Sequence, residues 1–232
     1  MRGQTFTKIL LYYRSMFFKS IQKFDFLVSL YIFCIIASET IGAKTVPLGS
    51  LFGFSFNASV SLLLLPLTFT VNDMITEVFG KERARSVIRS GLIMIALLFL
   101  FTLIATVLPP SKRFLPSEAA YDTIFGFSLR MSFASLVAFT LSEFLDVAVF
   151  VKLRALLGKK KLWLRNNASN FIGQLIDSTV FIFLAFYSFD KPFSANWTFI
   201  VGIILPLWIL KCSMSVIETP LVYLGTKWLK QK

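Results

Sequence analysis

Six long apolar runs dominate this sequence: Phe26–Ala43, Phe52–Val71, Gly91–Leu108, Ile124–Phe150, Asn170–Phe189 and Trp197–Leu224. Each is near the ~20 residues that a helix needs to cross ~30 Å of hydrocarbon. A span in lipid must pair every backbone N–H and C=O internally, which an α-helix does within its own segment. The chain is therefore read as an all-α polytopic membrane helix bundle of six spans. With 56% hydrophobic and only 16% charged residues in 232, it is too apolar for a soluble domain and has no length left for one. Residues 25–226 are assigned to a single transmembrane domain, 1–24 to an amphipathic cytoplasmic lead-in and 227–232 to a basic tail. The lead-in shows no small-residue cleavage site after the first run, so it does not read as a signal peptide.

A net charge of +12 would suggest nucleic acid in a soluble protein, but here the cations sort by side of the membrane. Arg2, Lys8, Arg14, Lys19 and Lys23 precede run one. Lys81, Arg83, Arg85 and Arg89 separate runs two and three, and Lys152, Arg154, Lys159, Lys160, Lys161 and Arg165 separate four and five. Lys227, Lys230 and Lys232 end the chain. The opposite loops hold only Lys44, then Lys112 and Arg113, then Lys191. The excess of Lys and Arg on cytoplasmic loops places both termini in the cytoplasm and makes the lipid bilayer, not nucleic acid, the partner.

Several chemistries are excluded or disfavoured. The sequence contains no histidine, which removes histidine-ligated metal sites and His-activated nucleophiles. No Gly-rich Walker motif is present, so the chain does not hydrolyse ATP by the P-loop route. Cys34 and Cys212 fall inside apolar runs, where a thiol is a small packing residue. No cofactor is expected. Pro47, Gly49 and Gly53 mark an outer loop, Pro66 is expected to kink the second span, and Gly80 ends the helical stretch before it. Ala134 and Ala138, four apart, would let another helix approach span four closely.

The informative residues are ionisable and amide side chains placed where lipid should be. A charge at the bilayer centre costs ~2.5–3.5 kcal/mol on insertion scales, so such groups face the bundle interior and pair or bind something. Asn166, Asn170, Gln174 and Asp177 follow at spacings of four, four and three, a stripe on one helical face. Lys211, Ser215 and Glu218 form another, and Ser135, Ser142 and Asp146 a third, with Glu143 alongside. Asn72, Asp73 and Glu77 close run two. Seven acids (Glu39, Asp73, Glu77, Glu143, Asp146, Asp177 and Glu218) face two bases, Arg130 and Lys211. Ion pairing alone leaves acids over, which fits a polar path for a donor-rich or cationic solute. Counted from the run borders, Asp177 lies near the midplane, Asp73 and Asp146 near the cytoplasmic end, and Glu39 and Arg130 toward the outside, so one small molecule cannot touch them all.

The segment Asn72-Asp73-Met74-Ile75-Thr76-Glu77-Val78-Phe79-Gly80-Lys81-Glu82-Arg83-Ala84-Arg85 resembles the inner loop of the queuosine precursor transporter family, also called the vitamin uptake transporter family. Leu145-Asp146-Val147 with Phe150 and Leu153-Arg154 is similar to its fourth span. Ala168-Ser169 through Asp177-Ser178 to Ala185-Phe186 is similar to its fifth, and Lys211 with Pro220 and Tyr223 to its sixth. The resemblance runs from about Ile35 to Leu224. It implies a bacterial inner-membrane importer of queuosine precursors, namely 7-cyano- or 7-aminomethyl-7-deazaguanine, queuine or the nucleoside. The site it implies comprises Asp73, Asp146, Asp177 and Lys211, joined by Glu143, Asn170 and Gln174 from the polar stripes.

A deazaguanine presents an N–H and an amino group side by side, which a carboxylate accepts as a bidentate pair, and a carbonyl that accepts from an amide or lysine. The 27 phenylalanines offer many faces for stacking the flat ring, and so identify none. The family is also related to substrate-binding components of energy-coupling-factor transporters, which implies as alternative a binding subunit for another vitamin-like solute, partnered by a transmembrane coupling protein and ATPases. Two readings from other classes remain: an intramembrane enzyme using Glu143 and Asp146, which lacks histidine and a nucleophile motif, and a structural subunit in which Lys211 only pairs with Asp146 or Asp177.

Overall fold

The structure is a computed structural model that describes residues 22–51, 54–157, 162–217 and 219–230; side chains are described outside residues 51, 54–55, 81, 143–151, 153–170 and 214–219. Most of the lead-in and Glu218 lie outside the described residues. Helix α1 spans Lys23–Ile41 and is followed by an antiparallel hairpin, β1 (Thr45–Leu51) and β2 (Phe54–Ser59), then a 3-10 turn over Val60–Leu63 and helix α2 (Leu65–Phe79). Helices α3 (Lys81–Val107), α4 (Glu118–Leu157), α5 (Leu162–Phe186), α6 (Phe193–Ile217) and α7 (Thr219–Lys230) complete the described chain. The architecture is thus a mostly helical membrane bundle, with one hairpin as the exception among the described residues.

Four helical stretches among the described residues are long and apolar enough to cross a membrane: Lys23–Ile41, Glu82–Val107, Leu115–Ser142 and Phe193–Ser213. Phe171–Phe186 is a shorter apolar stretch. These make the chain a multi-pass membrane protein. On α3, the exposed residues Ile93, Leu97, Leu100, Phe101, Ile104 and Val107 recur at three- and four-residue steps, an outward apolar stripe that lipid covers and water would not.

The second apolar run departs from expectation: it is not one continuous helix. Phe54-Ser55-Phe56-Asn57-Ala58-Ser59 alternates apolar and polar side chains, the period of a strand, and it pairs with the Thr45–Leu51 segment from Thr45 opposite Ser59 to Leu51 opposite Phe54. A register irregularity falls between Pro47 and Gly49, where the glycine adopts φ +129°. Pro66 does not kink a span. It occupies the first turn of α2, where its missing N–H would have had no partner in any case. The sixth run is also divided, into α6 and the separate amphipathic α7.

Two clusters of buried side chains bracket the middle of the bundle. At one end Leu27 and Tyr31 of α1, Val71, Met74 and Ile75 of α2, and Ala84 and Val87 of α3 pack together, with Val222 and Leu229 of α7 against them. The same end carries a cationic and aromatic belt. Phe24 meets Phe79 edge-on, Arg83 sits 4.9 Å over the Phe24 ring, and Lys23 donates to the Trp228 carbonyl at 2.7 Å. In the other cluster Ile182 of α5 locks against Ile200, Ile203 and Ile204 of α6. Ala134 and Ala138 are almost fully buried where α4 meets its neighbours, as their spacing predicts, with Met131 and Ala134 packed against Ala185 of α5.

Candidate functional site

Between these clusters, α1, the end of β2, the 3-10 turn, α4, α5 and α6 enclose a cavity of about 170 Å³. Its polar wall carries Glu39, Ser59, Ser61, Ser135, Asp177 and Lys211, and its apolar wall includes Phe181, Ile203 and Leu207. A second cavity of about 180 Å³ lies against α1, α3 and α4, lined by Tyr31, Ile35, Ile88 and Leu92 among others. Glu39, Ser135 and Asp177 line both. Those three side chains are the wall the cavities share.

Lys211 donates to Asp177 Oδ2 at 2.7 Å, and the two side chains are 12% and 29% exposed. The helical stripes put them face to face, since α5 and α6 pack along their length and each carries its charge on the packed side. Gln174, one turn before Asp177, lines neither cavity; its Oε1 lies 3.9 Å from Cys212 Sγ. Glu39 is only 6% exposed, and its Oε1 accepts from Ser135 Oγ at 2.6 Å while its backbone carbonyl accepts from Ser128 Oγ at 3.1 Å. Its other carboxylate oxygen, Oε2, is buried with no hydrogen-bond partner among the described residues. Ser59 and Ser61 hydroxyls lie 2.7 Å apart at the foot of the hairpin.

Glu39 and Asp177, counted to different depths along their spans, line the same cavity. Ser59 at the foot of the hairpin donates to the Gly42 carbonyl just beyond α1, and Glu39 near the end of α1 meets Ser135 and Asp177 from the middle stretches of α4 and α5. Its neighbour Ser38 also lines that cavity, a contribution that neither periodicity nor charge marks in advance. Arg130 is used elsewhere: its Nε donates to the Leu184 carbonyl at 2.7 Å and its Nη2 to that of Tyr187, satisfying carbonyls left over at the end of α5. Asp73 is exposed on α2 and lines neither cavity. Glu143, Asp146 and Asn170 lie on helices but outside the described side chains. No group of three metal-ligating side chains occurs among the described residues.

The arrangement offers a small ligand two carboxylates, one ammonium, several hydroxyls and one phenylalanine, Phe181, in an otherwise apolar chamber. Such groups can hydrogen-bond a small molecule inside an otherwise apolar chamber.

Residues 59–225 match the family described as "Putative vitamin uptake transporter". The "Probable queuosine precursor transporter" of Bacillus subtilis is 30% identical over 189 residues, covering 79% of this chain and 76% of that one. The protein of the same description in Haemophilus influenzae is 32% identical over 154 residues, covering 66% and 62%. The "Queuosine precursor transporter" of Escherichia coli is 28% identical over 144 residues, covering 61% of each chain. The chain therefore spans three quarters of the first of these relatives and somewhat under two thirds of the other two. No solved structure matches the chain.

Proposed function

The chain belongs to the vitamin uptake transporter family, and on that premise we propose that it is a bacterial inner-membrane importer of queuosine precursors, serving salvage of the base for tRNA modification. The single observation that carries the reading is the Asp177–Lys211 pair on the wall of a largely apolar cavity within the bundle. In this reading the ammonium donates to the carbonyl of a deazaguanine, carboxylate oxygens accept from its N–H and amino groups, and Phe181 stacks on the ring. A cavity of about 170 Å³ suits the free base better than its nucleoside.

The path runs from the chamber under the hairpin, past Glu39, Ser135 and Asp177, into the second cavity and toward the basic end of the bundle. Tyr31 lies eight residues before Glu39, which a helix rise of ~1.5 Å per residue makes about 12 Å further in. Gln174 and Asn170 continue the α5 stripe in that direction, Glu143 and Asp146 belong to the inner part of α4, and Asp73 marks the exit.

Six crossings with both termini in the cytoplasm complete the proposal. The contact of Lys23 with Trp228 supports it, because it joins the start of the first span to the helix after the last. The second crossing is composite: α2, at 15 residues, covers only about 22 Å, and the hairpin and 3-10 turn make up the rest within the protein.

The test is uptake of labelled 7-cyano- and 7-aminomethyl-7-deazaguanine by the purified chain in liposomes. Saturable uptake is expected, with loss in Asp177→Ala protein that still reaches the membrane. Uptake only on addition of ATPase subunits would make the chain a binding component of an energy-coupling machine. Undiminished salvage in a cell deleted for the gene would refute the importer.

A further inference from the structure

Asp177 and Lys211 neutralise one another, so the cavity's third ionisable group stands apart. Glu39 is held from two sides: Ser135 of α4 donates to one carboxylate oxygen, and Ser128, two turns away on the same helix, donates to the backbone carbonyl. Its position is therefore fixed before any ligand arrives. A carboxylate offers about four acceptor sites, and Glu39 uses one among the described residues. Leaving a buried polar oxygen unpaired costs free energy, more so for a charged group. A serine or threonine would tie α1 to α4 without that cost, so helix packing alone does not explain a glutamate on the wall of two cavities.

We infer that Glu39, and not Asp177, is the carboxylate that recognises the ligand. Two N–H donors set side by side, as on the amino-pyrimidinone edge of a deazaguanine, match its free Oε2 and the remaining lone pair of Oε1. Asp177 is already engaged by Lys211 and serves to hold that ammonium toward the ligand carbonyl. The inference rests on the deazaguanine reading and deepens it, by naming the group that tells a guanine-like base from one lacking the 2-amino group.

The experiment measures equilibrium binding of 7-cyano-7-deazaguanine, and of the same compound without its 2-amino group, to the purified full chain in lipid nanodiscs. The wild type is expected to prefer the amino compound by about 10- to 100-fold, the range for a hydrogen bond to a charged group. Glu39→Gln keeps the volume and the oxygen that Ser135 uses; it is expected to bind both compounds with the affinity the wild type has for the deaminated one. Glu39→Asp, which keeps the charge but withdraws it by one methylene, serves where the glutamine variant does not fold, and is expected to lose most of the preference. A preference retained in these variants, or an equal loss of both compounds, overturns the assignment while leaving the importer intact. Failure of the wild type to bind either compound overturns both.

Discussion

Arg130 and Lys211 are the two cations within the apolar runs, and they are used in opposite ways. Arg130 spends its fork on backbone carbonyls at the end of α5, whereas Lys211 faces the cavity with one carboxylate beside it. Arg130→Leu leaves the Leu184 and Tyr187 carbonyls without that donor, a loss of about 1.5–3 kcal/mol per charged hydrogen bond. A lowered midpoint of thermal unfolding in detergent is expected, and Arg130→Lys should recover only part of it, because a lysine lacks the planar fork.

For the cavity pair, Asp177→Asn or Lys211→Met each strands a charge, at a cost of about 1–3 kcal/mol for a group with this much access to water. Stability should return in the double variant while uptake stays more than tenfold down. Uptake restored in the double variant would reduce the pair to a structural tie. The stripes at four- and three-residue steps disclosed Asp177 and Lys211 in advance. Glu39 stands out in the sequence as a charge but not as a neighbour of this pair across one cavity, because spacing within a span does not say which spans pack together.

Among the elements, the hairpin and α2 are where helix-based reading fails, and for a visible reason. The Phe54–Ser59 segment is apolar enough on average to pass for a span, yet its alternation has period two. Hydropathy averages remove that signal; periodicity keeps it. The other elements coincide with the cores of their apolar runs, while about half of their ends lie six to ten residues from the run borders, because hydrophobicity marks where lipid is and not where a helix stops.

The junction of α2 and α3 was also legible, and Gly80 explains it: φ +86° and ψ 163° lie in a region that side chains other than glycine's essentially do not adopt. Gly80→Ala is expected to cost about 1–3 kcal/mol, read as a lower thermal midpoint. Gly225 is a different case, since a Cβ there would run into the Met74 side chain. Gly225→Leu should push α7 off α2 and shift the tryptophan emission of Trp228.

At the scale of the molecule, the charge asymmetry read from the sequence and the belt at one end of the bundle share Lys23 and Arg83, which underlies the topology proposed above. In a background lacking Cys34 and Cys212, Ser111→Cys, in the loop before α4, is expected to react with an impermeant maleimide from the periplasm. Ser86→Cys, near the start of α3, should react only after permeabilisation. The reverse pattern would invert the topology and the direction of the proposed path.

The composite second crossing proposed above also bears on biogenesis. A segment that is part strand, part 3-10 turn and part 15-residue helix, with Asn72, Asp73 and Glu77 near its end, cannot partition into lipid as an autonomous helix. Its final packing is expected only after α6 has been made, because β2 packs on α6. This early segment is then expected to settle last, and a nascent chain stopped after α3 should leave it open to protease.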